Sequence, residues 1–441
     1  MRAAVYRSAH KLHTETVPVP PIGKNELLVR VATCGVCPTD IKKIHYGTVP
    51  PPRIFGHETA GTIVKMGSGV PRLGFGVGER VALHHHVPCL DCHFCRHRAF
   101  AQCETYKRTG ITAGFEPAGG GYAEYVRVMP FVLPGVVKIP ARNTFAEGAM
   151  LEPVNTVLKA VNRLNLLPGD NVLVAGQGPI GLMFTKILQL RGVNVLATDL
   201  MEQRLKLAKK FGARWTRLVE RRQPNPQSIR AVEGRKSKVE ICSLSANEVG
   251  GEGRGEVAHS VPALNPQPST LNRPFDAAVL AVPSDAAVAE AFDLVRGGGQ
   301  IMLFAHTRRA TAVEKAVEGR ESRVEKAVEG RESSVESCSL SANEVGGEGR
   351  GEVAHPVPAL NPQPSTLNLD FASICVDEKD LIGSYSADFT LQKDVARLVF
   401  SRQLDVRQLI SHEFPLDQTA AAVALAAHPH PDSLKVIVNI P

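Results

Sequence analysis

The sequence predicts an α/β fold with a doubly wound parallel sheet, and three observations point there. A short apolar segment, Asn171 to Ala175, runs into Gly176-Gln177-Gly178-Pro179-Ile180-Gly181 and then into a helical pattern from Leu182 to Leu190. A second strand, Val193 to Thr198, ends at Asp199. Further alternation follows: a strand from Phe275 to Val282, a helix from Asp285 to Val295, a turn at Gly297-Gly298-Gly299 and a strand from Gln300 to Ala305. Such βα alternation gives parallel strands. Finally, 441 residues that are 43% hydrophobic and 22% charged suit a globular chain of more than one domain, not a collagen-like or wholly disordered one.

The remaining elements read in order. Arg2 to Tyr6 alternates like a strand where a secretion signal would show a charged, then apolar, then small-residue pattern, so a cytoplasmic location is expected. No apolar run reaches the ~20 residues of a bilayer crossing. The nearest, Thr419 to Ala427, is mostly Ala, and no membrane partner is expected. The net charge of +7 is mild and spread along the chain, which reads as ordinary surface and predicts no nucleic-acid partner.

Internal repeats alter the effective length. Ala231 to Asn272 recurs as Ala327 to Asn368 with 38 of 42 positions identical, and Val313 to Arg323 repeats in tandem as Val324 to Ser334. Two near-identical strings cannot both be tailored to different packing sites. They contain no aromatic residue and end in Pro-rich ALNPQPSTLN, so disordered insertions are expected at about 223–272 and 308–368. Both fall at connections between elements, where added length costs little entropy. A repeat solenoid would need contiguous units, which these are not.

The nine cysteines are clustered, as reduced metal-binding thiols would be. Cys89, Cys92, Cys95 and Cys103 follow C-x-x-C-x-x-C-x7-C, and two-residue gaps let a tight turn aim neighbouring sulfurs at one zinc. Four protein ligands close the site, which makes it structural. The neighbouring His84, His85, His86, His93 and His97 then read as solvated loop residues, and Cys34 and Cys375 as small buried thiols.

A second metal site is dispersed: Cys37 in Cys34-Gly35-Val36-Cys37-Pro38-Thr39-Asp40, His57 and Glu58 twenty residues on, and Glu152 in Leu151-Glu152-Pro153. One thiolate, one imidazole and carboxylates from separate segments suit an open catalytic zinc. Asp40 is a candidate partner for the His57 ring, and Thr39 offers a hydroxyl to a bound alcohol.

Gly176, Gly178, Ile180 and Gly181 belong to a G-x-G-x-x-G loop between strand and helix, where a dinucleotide pyrophosphate is held. Asp199 is placed to take the ribose hydroxyls and to repel a 2′-phosphate, favouring NAD over NADP. Arg204, five residues on, could soften that preference or lie on the helix surface.

These motifs together resemble the zinc-dependent medium-chain dehydrogenase/reductase family of alcohol, sorbitol and threonine dehydrogenases. The carriers are GVCPTD around Cys37, GHE from Gly56, the quartet ending at Cys103, GGGYAEYVRV from Gly119, LEP from Leu151, GQGPIG from Gly176 and DSLKVIV from Asp432. The resemblance implies a mostly-β GroES-like catalytic domain formed by 1–153 and 387–441, with a Rossmann domain at 154–386 interrupted by the two insertions. It implies Cys37, His57, Glu58 and Glu152 at a catalytic zinc, Thr39 as the relay hydroxyl, and a structural zinc on the quartet. Glu152 stands where polyol dehydrogenases have glutamate and the liver and yeast alcohol dehydrogenases have cysteine. The implied activity is oxidation of a secondary alcohol or polyol to a ketone with hydride transfer to NAD, by a homodimer or homotetramer if the insertions permit.

Two positions depart from the family pattern. Lys42 replaces a relay histidine, and Pro38 stands where relatives often have Gly or Arg near the pyrophosphate. The second insertion lies just before the strand near Leu381 to Ser384 that relatives use in dimerisation. Two competing readings stand beside this one: a dehydrogenase homologue impaired by the insertions, and a zinc-ribbon nucleic-acid binder.

Overall fold

The computed structural model describes residues 1–84, 87–109, 118–220, 274–305 and 371–441. The expected insertions at about 223–272 and 308–368 lie outside the described residues, as do His85, His86, Cys242 and Cys338.

The first part of the chain is mostly β. Strands β1 (Arg2–Ser8) and β2 (Lys11–Thr16) form an antiparallel hairpin. Strand β3 (Leu27–Gly35) then organises the larger sheet, β4 (Arg53–Ile54) completes the three-stranded sheet of the hairpin, and β5 (Glu58–Met66) joins β3 in the larger one. β4 pairs with β1, and β5 lies antiparallel along the whole of β3, with Gly35 opposite Glu58. Strands β6 (Arg80–Ala82), β7 (Tyr125–Val128) and β8 (Val137–Lys138) extend the layer. Leu27, Val29 and Val31 alternate inward with Val126, Val128 and Ile63 in one apolar core, the period of two that a half-buried strand requires.

The middle of the chain is a six-stranded parallel sheet of β9 (Asn171–Ala175), β10 (Asn194–Asp199), β11 (Trp215–Leu218), β12 (Phe275–Leu280), β13 (Val295–Leu303) and β14 (Asp380–Gly383). Its spatial order is β11-β10-β9-β12-β13-β14, which is the 3-2-1-4-5-6 order of a Rossmann sheet. Both faces are covered. Val172 and Val174 of β9 point into one core with helices Leu151–Val161 and Pro179–Leu190, whereas Leu173 and Ala175 point into the other with helix Asp285–Leu294. Near-continuous apolar strands are the signature of a sheet buried on two sides. The undescribed spans 221–273 and 306–370 fall between β11 and β12 and between β13 and helix Phe371–Cys375.

The chain then returns to the first sheet. Strands β15 (Ile410–Pro415) and β16 (Lys435–Asn439) pair parallel, and β16 lies antiparallel to the Thr33–Gly35 end of β3.

Two expectations are corrected. Gly297-Gly298-Gly299 is not a turn ending an element: β13 runs through it as a bulge, with four residues between Val295 and Gln300 on β13 answering one between Phe275 and Ala277 on β12. Cys375 is exposed, not a buried thiol, at the last residue of the short helix Phe371–Cys375.

Helix Leu151–Val161 carries Glu152, and a buried amide fixes it. Asn155 Nδ2 donates to the Asp388 carbonyl at 2.9 Å and to Gln392 Oε1 at 3.0 Å, while its Oδ1 accepts the Asp388 N–H at 2.8 Å. Asn155→Ala should lower the unfolding free energy by about 2 to 3 kcal/mol, since the stranded partners stay buried. Urea unfolding of the full chain measures this, and a loss below about 0.5 kcal/mol would contradict it.

Candidate active site

The β3–β5 register builds the site. Gly35 lies opposite Glu58, so Cys37, two residues beyond β3, is carried beside His57 and Glu58. Cys37 is also the N-cap of helix Pro38–Tyr46, where the Thr39 backbone N–H donates to its Sγ at 3.5 Å. Pro38 fills the first helical position, where a missing N–H costs the helix nothing. The ligand atoms of Cys37, His57 and Glu58 all lie within 4.8 Å of one another.

The buried Asp40 accepts from His57 Nδ1 at 3.1 Å, which leaves the other ring nitrogen as the donor toward Cys37. Burial disfavours the charged ring, yet Asp40 and Cys37 outweigh it and hold His57 well above the ordinary imidazole pKa. Glu152 is buried in the same pocket, but its carboxyl is not part of the 4.8 Å gathering. Burial lifts its pKa to about 7; His57 and Lys435 pull it down, whereas Glu58 and Asp40 push it up.

Lys435, at the start of β16, was not singled out as a site residue by sequence reading. Its ammonium is buried, donating to the Val36 carbonyl at 2.9 Å and to Glu58 Oε1 at 2.5 Å. Burial lowers the Lys435 pKa, but Glu58 and Cys37 raise it further, so the net direction is upward. One ammonium and one imidazole thus face a thiol and three carboxyls away from water. A divalent cation would offset that imbalance, and thiol, imidazole and carboxylate are zinc donors. The donor set fits the ion.

The quartet also converges. Cys92 and Cys95 Sγ are 3.4 Å apart, Cys89 and Cys95 Sγ 3.9 Å, and the Cys89 N–H donates to Cys103 Sγ at 3.4 Å. Sulfurs bound at about 2.3 Å to one tetrahedral zinc stand roughly 3.8 Å apart, so these four fit the ion. The backbone N–H groups of Asp91 and Cys92 draw the Cys89 thiol down to about 6, and burial pushes Cys95 up to about 12. His93 and His97 are exposed as expected. His84 is not a solvated loop residue: it is fully buried at the end of β6, and burial holds its imidazole down to about 3.

In the glycine loop, Gly176 has φ +88°, and a Cβ on Gly181 would stand 1.7 Å from the Gly176 carbonyl oxygen. A Cβ on Gly178 would meet nothing within 4 Å, so the loop is open where a pyrophosphate would lie, at the N-cap of helix Pro179–Leu190. Ile180 is half-buried in the first turn. Asp199 Oδ2 accepts the Gln177 N–H at 2.6 Å and Oδ1 the Met201 N–H at 2.9 Å, so it ties the strand end to the loop with lone pairs to spare. This cradle fits a dinucleotide. Arg204 does not lie freely on the helix surface: it is half-buried, with Nη2 3.5 Å from the Ser433 carbonyl.

Sequence reading also missed an aromatic wall. Tyr106, raised well above the ordinary tyrosine pKa by burial and by Tyr385, hydrogen-bonds Ser386. Lys159 Nζ holds the Tyr385 carbonyl at 2.9 Å. Tyr385 feels the charges of His57, Cys37 and Glu152. Nothing in the local pattern around these residues marks them, because the wall forms only in three dimensions.

The described chain thus combines a mostly-β part holding two metal-donor clusters with a Rossmann sheet and an open glycine loop. Residues 23–141 match the alcohol dehydrogenase GroES-like domain family. The chain is 33% identical to the sorbitol dehydrogenase of Bacillus subtilis over 222 residues, 48% of this chain and 60% of that protein. It is 32% identical to the sorbitol dehydrogenase of Gallus gallus over 235 residues, 52% of this chain and 63% of that protein. It is 35% identical to an L-threonine 3-dehydrogenase of Francisella tularensis subsp. novicida over 205 residues, 45% of this chain and 55% of that protein. The chain therefore spans about three fifths of the length of the curated relatives it matches. In fold it is similar to an alcohol dehydrogenase from Thermus sp. ATN1, with TM-score 0.67 and 22% identity over 100% of both chains. It is also similar to a zinc-binding dehydrogenase from Sinorhizobium meliloti 1021 bound to NADP, with TM-score 0.67 and 20% identity over 99% of this chain and 98% of that one. Residues 23–141 thus carry the alcohol dehydrogenase GroES-like domain, and the chain is similar over about half of its length to proteins named sorbitol dehydrogenase and L-threonine 3-dehydrogenase.

Cys92→Ser should remove one zinc per subunit and lower the thermal midpoint by roughly 5 °C or more. Elemental analysis alongside calorimetry checks it, and unchanged metal content would refute the four-sulfur site.

Proposed function

We propose that this protein oxidises a secondary alcohol, a polyol or related hydroxy compound, reversibly to a ketone with hydride transfer to NAD. The observation that carries the reading is the convergence of Cys37, His57 and Glu58 within 4.8 Å, backed by Asp40 and Lys435. Glutamate at position 152 and the likeness to proteins named sorbitol dehydrogenase, D-xylulose reductase and L-threonine 3-dehydrogenase support the substrate class.

When bound, zinc would supply Lewis acidity toward the substrate hydroxyl, and a nicotinamide cofactor would supply the hydride acceptor. The chain's own residues do the rest. Cys37 and His57 would hold the ion, with Glu58 and Glu152 as the neighbouring carboxylates. Asp40 fixes the His57 ring, and Lys435 restrains Glu58 so that one charge is already matched. The Thr39 hydroxyl relays the substrate proton, passing its own proton on toward solvent as it accepts the new one. Lys42 stands on the next turn of the same helix, its ammonium pKa lowered by burial although Cys37 raises it. Gly176, Gly178, Ile180 and Gly181 cradle the pyrophosphate, Asp199 receives the ribose hydroxyls and so favours NAD over NADP, and Arg204 flanks that site.

The same reading takes residues 1–153 with 387–441 as the catalytic domain and 154–386 as the cofactor domain. It places the protein in the cytoplasm as a homodimer or homotetramer. Clustered metal-binding thiols that must stay reduced support the compartment. Among the described residues no helix is long and apolar enough to cross a membrane.

Cys37→Ser should lower kcat/KM by about a thousandfold or more, roughly 4 kcal/mol of transition-state stabilisation, with NAD binding nearly intact. Undiminished turnover rejects the assignment. Asp199→Ala should weaken NAD by about tenfold to a hundredfold and NADP less; equal losses in fluorescence titrations count against the ribose contact. Following NAD reduction across sorbitol, threonine, inositol and simple secondary alcohols tests the function itself, and no reduction with any of them by zinc-replete protein would overturn it.

A further inference from the structure

Away from these sites, three histidines from distant parts of the chain meet on one face. His10 sits in the turn between β1 and β2, His45 in the last turn of helix Pro38–Tyr46, and His428 at the C-cap of helix Thr419–Ala427. The His10 and His45 ring centroids are 4.8 Å apart, and those of His45 and His428 are 6.3 Å apart. Backbone bonds fix two of the attachment points, and the helix itself fixes His45. The His10 N–H donates to the Ile44 carbonyl at 3.0 Å, and the His428 N–H to the Ala424 carbonyl at 3.1 Å. His45 is half-buried between two exposed rings.

We propose that His10, His45 and His428 form a third metal site, which takes a borderline divalent cation such as zinc, copper or nickel through three imidazole nitrogens and leaves the remaining positions to water. Neutral imidazole suits these ions. A nitrogen bound at about 2.1 Å places its ring centroid roughly 3.2 Å from the ion, so two rings sharing one ion stand about 5 to 6 Å apart. The observed separations bracket that range. The donor nitrogens are not gathered as they are in the two clusters already described. The two outer rings are exposed, and rotation about their χ angles, a picosecond-to-nanosecond motion, closes the set. Burial, then the neighbouring His10 and His428, holds His45 below the ordinary imidazole pKa, so the central ring is an available neutral donor. A bound ion would link the hairpin and the C-terminal helix to the helix capped by Cys37.

The test is calorimetric titration of the dialysed full-length protein with zinc chloride, counting equivalents beyond those retained after dialysis. The wild type should take up one further equivalent. In the His10→Ala/His428→Ala double variant its dissociation constant should rise at least about tenfold, while the retained zinc and the melting temperature without added metal stay unchanged. His428→Gln, at an exposed helix end, serves as a second variant and should weaken the same equivalent. Absence of the extra equivalent in the wild type, or its persistence with equal affinity in the variants, overturns the proposal.

Discussion

Buried charge must be matched, and that constraint organises the catalytic pocket. Asp40, Glu58 and Glu152 are almost completely removed from water, as are His57 and Lys435. Each charge is tolerable only beside its opposite, because desolvating an ion costs several kcal/mol unless geometry repays it. Asp40 is answered by His57, and Glu58 by Lys435. Glu152 shares their pocket, and burial lifts its pKa to about 7. The pocket is therefore an arrangement of pairs with negative charge left over, which is the condition under which a divalent cation binds rather than merely fits.

Much of this was legible because its spacing is local. The quartet lies within fifteen residues, the glycine loop within six, and Cys37 with Asp40 within one helical turn, so turn geometry alone brings the groups together. The His57–Asp40 bond crosses only 17 residues of chain, and a Cys-x-x-Asp followed by Gly-His-Glu suggested it. Lys435 was invisible for the opposite reason. It meets Glu58 across 377 residues, and a single lysine at the start of an apolar strand reads as its solvated end. Tyr106 and Tyr385 come together only when the C-terminal part of the chain packs beside the cysteine lobe, where Phe100 also meets Phe389 with ring centroids 5.5 Å apart. His84 was misread because the polar run around it suggested a loop, whereas the chain is still leaving β6 with its side chain turned inward. The three glycines of β13 signal a break in chain direction, but parallel pairing on both sides of β13 absorbs the extra residues as a bulge.

The parallel sheet is also the reason the fold extends beyond the aligned sequence. Solved structures match nearly the whole chain in architecture at about one fifth identity, whereas curated relatives align over about half of it. The sheet's strands need only present apolar residues to the two cores on opposite faces, and many sequences satisfy that pattern. The long undescribed spans enter between elements, where chain length has little bearing on which strands pair. Asp199 shows how the fold and the cofactor loop share residues: its carboxylate bridges the end of β10 to Gln177, so the loop's shape depends on the same group that is offered to a ribose.

The position of β16 has a consequence for how the molecule comes into being. This strand supplies Lys435 and occupies the place between β15 and the end of β3, yet the ribosome makes it after every segment it joins. Until it emerges, the sheet lacks the strand between β15 and β3, and Glu58 lacks the ammonium that faces it. Closure of that sheet and pairing of Lys435 with Glu58 therefore wait for the strand that is synthesised after all its neighbours.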